Sequence, residues 1–145
     1  MKSKNGITLM ILVVAISIML VLISSAAVIG YSSINTAKYD DYMSQLNRIS
    51  DNVNQYFLQN GELPTTKEEI DTASFSDKLT NIVVKNNDQN NRLYIIDMSK
   101  IPDSSVNIGK GNISDKDICV VADNSLNVYY LKGFSYKNNV YFTKQ

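Results

Sequence analysis

The chain has 145 residues, with 14 Lys and Arg against 14 Asp and Glu. A formal charge of +0, with neither a basic run nor interleaved aromatic and basic residues, argues against nucleic acid as a direct partner. The absence of His excludes His-based acid–base chemistry and removes the commonest metal ligand, while the single Cys119 cannot close an intrachain disulfide.

In chain order, a short basic start, Met1-Lys2-Ser3-Lys4-Asn5-Gly6, precedes a run from Ile7 to Ile29 that is almost entirely aliphatic. No charged side chain occurs between Asn5 and Ala37. A helix needs roughly 20 apolar residues to cross the hydrocarbon layer, so 7–30 is expected to be a transmembrane helix. Lys2 and Lys4 lie before it and the next charge, Lys38, lies well after it. The positive-inside rule then keeps the N-terminus cytoplasmic and the remainder outside. A secretory signal peptide would have a shorter apolar core and a small-x-small cleavage site, which Ser24-Ser25-Ala26-Ala27 could mimic. A plain signal anchor needs only the hydrophobicity and the flanking charge.

The segment Lys4-Asn5-Gly6-Ile7-Thr8-Leu9-Met10 resembles the cleavage and methylation motif of type IV pilins, type II secretion pseudopilins and competence pilins. The resemblance implies that a prepilin peptidase cuts after Gly6 and methylates the new amine of Ile7. Residues 1–6 would be a leader, and 7–30 would remain as the membrane helix and later the core of a filament. Partners implied in the same way are other pilin subunits, membrane lipid, the peptidase, and an assembly platform with its ATPase. No cofactor and no enzymatic activity are implied. Localisation would be a bacterial cell membrane and then a cell-surface filament. The family usually has Phe or Met where Ile7 stands, and Glu at the fifth mature position, where this chain has Ile11. In the family that carboxylate is thought to pair with a neighbour's N-terminal amine, so Ile11 resembles minor subunits placed at a filament tip.

Beyond the apolar run, Ile34, Tyr39, Tyr42/Met43, Leu46, Ile49, Val53 and Tyr56/Phe57 recur at three- and four-residue steps among polar residues. That pattern predicts an amphipathic continuation over 31–60 with one apolar stripe. With no Pro between Ile7 and Asn60, one unbroken helix of about 50 residues is expected, ending at Asn60-Gly61 with Gly in a left-handed cap and Pro64 beyond. The run Asn60-Gly61-Glu62-Leu63-Pro64 also resembles the turn by which pilin heads leave this helix.

Residues 61–145 are expected to form an α+β head. Thr65 or Thr66 with Glu68 or Glu69 reads as a capping box for a short helix through about Leu79. From Arg92 the period becomes two, predicting strands at Leu93–Met98, Asp117–Ala122, Leu126–Leu131 and Asn139–Thr143. The last three form an expected antiparallel meander, one face of which the stripe from Leu46 to Phe57 would cover. Residues 86–91 and 104–116 read as polar loops.

Candidate chemistry is sparse. Gly109-Lys110-Gly111-Asn112 lacks the strand-to-helix context of a phosphate loop. Asp103, Asp115, Asp117 and Asp123 could offer oxygen ligands to Ca²⁺, but their spacing fits no defined loop and solvated turn acids are favoured, so no metal is expected. Asp40 and Asp41 point to different helix faces, and Cys119 reads as core. The alternative to a filament subunit is a monomeric signal-anchored protein whose head binds a surface or a ligand.

Overall fold

The structure, a computed structural model, describes residues 2–145, and the side chains of these apart from 2–5 and 23–32. It divides into two compact units, one up to Lys38 and one from Tyr39 to Gln145. The fold is α+β with an antiparallel sheet. Helix α1, Lys2–Asn60, contributes to both units and is followed by strand β1, Thr65–Ile70. A 3-10 turn, Thr72–Ser74, then leads to helix α2, Asp77–Lys85. Strands β2 (Leu93–Ile96), β3 (Cys119–Ala122), β4 (Val128–Tyr130), β5 (Phe134–Tyr136) and β6 (Asn139–Tyr141) complete the chain.

α1 stops where expected. Gly61 takes φ +72, a left-handed conformation open to glycine, and its N–H donates to Phe57 O at 2.9 Å, closing the last turn. Pro64, just beyond, is fully buried. The C-terminal part of α1 supplies the stripe that the periodicity called for, since Tyr42, Leu46, Ile49 and Val53 are all buried. The stripe is shorter than expected, for Ile34 and Phe57 are exposed.

The main sheet has the order β1-β2-β3-β4, every neighbour antiparallel, so sequence order and spatial order coincide. Strand alternation divides it cleanly. Ile96, Cys119, Val121, Val128 and Tyr130 pack with the α1 stripe, while Leu93, Ile95, Val120, Ala122 and Tyr129 pack with Leu79 and Val83 of α2. Both faces are therefore covered where the sequence had predicted one, which is why every residue of β3 and β4 is buried.

Two expectations are corrected. The helix from Thr65 through about Leu79 is not there. Residues 65–70 are strand β1, paired through Ile70↔Leu93 and Thr65↔Ile96, with a bulge at which Lys67 takes φ +65. The Thr65 and Thr66 hydroxyls accept from the N–H groups two residues on, those of Lys67 and Glu68, so they make local turns instead of a helix cap. Ser76 is the helix cap instead, its Oγ accepting from Leu79 N, with Asp77 in the first turn. The third strand of the expected meander is also rearranged. Residues 139–141 pair with β5, which the sequence had not indicated, through a two-residue turn with Lys137 at φ 47 and Asn138 at φ 63. Only then do residues 142–143 reach the outer edge of β4, where Tyr130 N donates to Phe142 O at 2.7 Å and Thr143 Oγ1 to Val128 O at 2.8 Å.

Candidate functional site

The residues singled out at the N-terminus all lie on α1. Gly6 has nothing near where a side chain would stand. Ile7 and Ile11 are exposed, and the side chains of Lys2 and Lys4 lie outside those described. Exposure is not confined to one face: thirteen large aliphatic side chains between Ile7 and Leu22 are exposed, including the unbroken run from Leu9 to Val14. Shallow apolar hollows lie among Met10, Ile11, Val14, Ala15 and Ile18 and among Ser17, Ile18, Val21 and Leu22. The polar group of Ser17 is turned inward, donating to Val13 O at 2.8 Å, so it adds little polarity to this surface. Among the described residues no helix is long and apolar enough to cross a membrane. The expected span of 7–30 includes 23–30, whose side chains lie outside the described set.

The unit from Tyr39 onward satisfies its own polar groups. Gln45, buried on α1, accepts from Asn107 N at 2.7 Å and Ile108 N at 3.2 Å, and donates to Asp41 at 2.8 Å. One and two turns on, Arg48 and Asn52 meet Asp103, at 3.7 and 3.2 Å. Three α1 side chains spaced for one helix face thus hold the 103–108 loop. Aromatic rings fix the β5–β6 hairpin on the same helix: Tyr42 stacks on Phe134 and Tyr39 on Tyr136, at centroid distances of 5.0 and 4.4 Å. The Tyr42 hydroxyl donates to Tyr141 O at 2.6 Å, and burial pushes its acidity far below that of a free phenol.

The four aspartates considered as cation ligands are kept apart by separate duties. Asp117 accepts from Gly109 N and from the Tyr130 hydroxyl, at 2.9 and 2.8 Å. Asp103 accepts from Ser105 N and from the α1 groups above, and the Ser105 N–H is the first cause holding its carboxyl below the ordinary range. Asp123 accepts from Arg92 N, and Asp115 is exposed. Among the described residues no three side chains of metal-ligating type gather. The Gly109–Asn112 segment spends the Gly109 N–H on Asp117, and Cys119 is a fully buried thiol whose pKa burial drives upward.

One polar cluster was not foreseen. Asp88 is inaccessible to solvent and is held by neutral donors: Asn91, Ser125 and Asn127 donate to its carboxylate at 2.7, 2.6 and 2.9 Å, and the Tyr129 hydroxyl adds a fourth hydrogen bond. Desolvation pushes the Asp88 pKa up, but the four side-chain hydrogen bonds outweigh it and hold the carboxyl below its ordinary value. The trace in the sequence is the spacing of Ser125, Asn127 and Tyr129, two apart, which puts three donors on one face of the β3–β4 connection and β4. The cluster ties the 86–92 loop to the β3–β4 turn, and its carboxylate is closed to solvent.

Compared with protein-family models, with curated proteins and with solved structures, the chain matches none.

Proposed function

We propose that the chain is a subunit of a type IV pilus-like or pseudopilus filament, carried in a bacterial membrane before assembly and not an enzyme. The observation that carries this reading is the exposed aliphatic surface of α1 from Ile7 to Leu22. Covering one Leu, Ile or Val is worth about 1.5–3 kcal/mol, so thirteen half-covered side chains left in water would cost on the order of 10 kcal/mol. That equals the stability of a whole small domain. Such a surface calls for lipid, for apolar helices of other subunits, or for each in turn.

The residues before the surface support the same reading. Lys4-Asn5-Gly6-Ile7-Thr8-Leu9 has the form of a prepilin peptidase site, with cleavage after Gly6 and methylation of Ile7. Because Gly6 and Ile7 are helical, cleavage would require the first turns of α1 to unwind into the peptidase, an opening that Gly6 eases. Lys2 and Lys4 would hold that end at the cytoplasmic face, where the trimmed helix would be drawn out by an assembly platform and its ATPase. Small residues such as Ala15 and Ser17 would let neighbouring helices approach closely. Ile11 speaks for a place at a filament end, since it offers no carboxylate to a neighbour's amine. Replacing it by Glu is then expected to increase incorporation along the shaft.

The test is the mass of the mature N-terminus. The reading predicts a chain beginning at N-methylated Ile7. An intact Met1 would favour a monomeric, signal-anchored surface protein, and a start near Ala27 a secreted one.

A further inference from the structure

The β5–β6 hairpin runs back along α1, toward the start of the unit that Tyr39 opens. Phe134 stacks on Tyr42 and Tyr136 on Tyr39, so each step along β5 retreats along the helix. The two-residue turn that follows, Lys137-Asn138, therefore lies past the level of Tyr39, at the end where the chain enters from Lys38. The Tyr42 hydroxyl, donating to Tyr141 O at 2.6 Å, pins the returning strand as well. What this end presents is amphipathic. Tyr39, Tyr136 and Tyr141 are half-buried, with Tyr39 meeting Tyr141 edge-on at 5.0 Å, while Lys137, Asn138 and Asn139 are exposed. Lys137 is the one charged residue of the hairpin, and its ammonium rests over the Tyr136 ring, 5.2 Å from the centroid. Of the acids on the adjoining turn of α1, Asp41 is bonded by Gln45. Asp40, two residues before the buried Tyr42, points to the far side of the helix. Tyrosine rings beside a lysine are side chains that settle at a membrane–water interface, the rings among headgroups and the ammonium on phosphate.

We propose that the tip of the β5–β6 hairpin is a second membrane contact. Lys137, with Tyr136 and Tyr39 behind it, lies on the phosphate layer of an anionic phospholipid surface while the aliphatic part of α1 is in the bilayer. The chain length allows it. Residues 31–38 separate the expected span from Tyr39, and as helix they advance only about 12 Å. A headgroup layer is roughly 5–8 Å thick on each side, and a charged surface is felt for about 10 Å beyond it at 0.1 M salt. The turn stands on the membrane side of Tyr39, within that range. One lysine on an anionic surface is a weak contact, but a chain already anchored by its helix makes it at high local concentration. The consequence is orientation: a helical anchor alone leaves the head free to rotate and tilt, and a hairpin on one side of α1 selects the tilt that lowers that side. This inference rests on the membrane-carried stage of the proposed function, and the contact is broken when the helix leaves the lipid.

The chain has no Trp, so one introduced Trp reports on its own position. Full chains carrying Tyr136→Trp, Leu58→Trp or Val14→Trp are reconstituted in phosphatidylglycerol vesicles. The vesicles contain lipids with a nitroxide quencher on the headgroup or midway along the acyl chain. Tyr136→Trp keeps a ring for Tyr39 to stack on, and Leu58, 83% exposed, stands roughly 28 Å further along α1 than Tyr39. Headgroup nitroxide should quench the reporter at position 136 at least about threefold more than the one at 58, and acyl nitroxide should quench the one at 14. Adding Lys137→Glu to the Tyr136→Trp chain, or raising salt to about 0.5 M, should remove about half of the headgroup quenching or more. Lys137→Arg should keep it, a pattern that a misfolded hairpin would not give. Equal quenching at 136 and 58, or indifference to both Lys137→Glu and salt, overturns the proposal. The reporter at 14 separates the two claims. Quenching at 14 without quenching at 136 strikes the hairpin contact and leaves the membrane stage standing, while quenching at 136 alone keeps the contact and removes the span.

Discussion

Two stretches of one helix behave in opposite ways. From Ile7 to Leu22, α1 exposes large aliphatic side chains all round, whereas from Tyr42 to Val53 it buries one stripe to 3% exposure or less and keeps polar residues elsewhere. The later stretch is completed by its own chain, through the sheet face of Ile96, Cys119, Val121, Val128 and Tyr130. The earlier one is completed by nothing among the described residues. The lesson is that helicity alone does not decide what a helix is for. The angular spread of its apolar residues does, because a stripe can be satisfied by one neighbour and a full cylinder only by a surrounding.

The sharpest way to break this comparison is to shave each stretch in turn. Leu46→Ala removes a fully buried side chain and should lower head stability by about 2–5 kcal/mol in urea unfolding of the detergent-solubilised chain. Ile18→Ala, in the exposed stretch, should leave that unfolding midpoint unchanged. Next in size is Asp88→Ala, which strands the donors of Asn91, Ser125, Asn127 and Tyr129 in the interior and should cost about 3 kcal/mol. Because the folded pKa of Asp88 is depressed, its contribution is fully present above the unfolded value near 3.8 and is lost as pH falls below it. The unaltered chain should therefore lose stability below about pH 4 more steeply than Asp88→Asn.

Gly133→Ala should cost about 1–3 kcal/mol. Gly133 has φ +68, and a methyl group there would meet Phe142 and Val140 at 2.7 Å. Circular dichroism melts of the two chains would show it. The smallest effect belongs to Arg48→Ala, whose ion pair with Asp103 is long, at 3.7 Å, and half in solvent. The unfolding free energy should move by less than about 0.5 kcal/mol. A larger loss would mean that the 103–108 loop depends on this charge and not on Gln45.

What could be read beforehand follows from the range of the interactions involved. The end of α1 at Gly61, its stripe, and strands β2, β3 and β4 are written in local periodicity and turn chemistry, and the structure has them within a few residues. β1 was misread because Lys67-Glu68-Glu69 after two threonines also suits the first turn of a helix, and the pairing with β2 that decides the matter lies more than twenty residues away. β5 is only Phe134-Ser135-Tyr136, too short to show alternation, and is held by rings on α1. At the N-terminus, Gly6, Ile7 and Ile11 could be singled out at all only because the proposed cleavage motif is a local string. The carboxylate of Asp88 could not, since only Asn91 among its donors is a near neighbour and the other three lie 37, 39 and 41 residues later.

The central claim is that residues 7–22 are covered by other molecules of the assembly and not by lipid alone. A photoreactive residue placed at Val14, activated in cells producing the full chain, tests it directly. The filament proposal predicts covalent adducts to residues 7–22 of a second such aliphatic helix. Adducts to lipid only, under conditions where the head is folded, would contradict it.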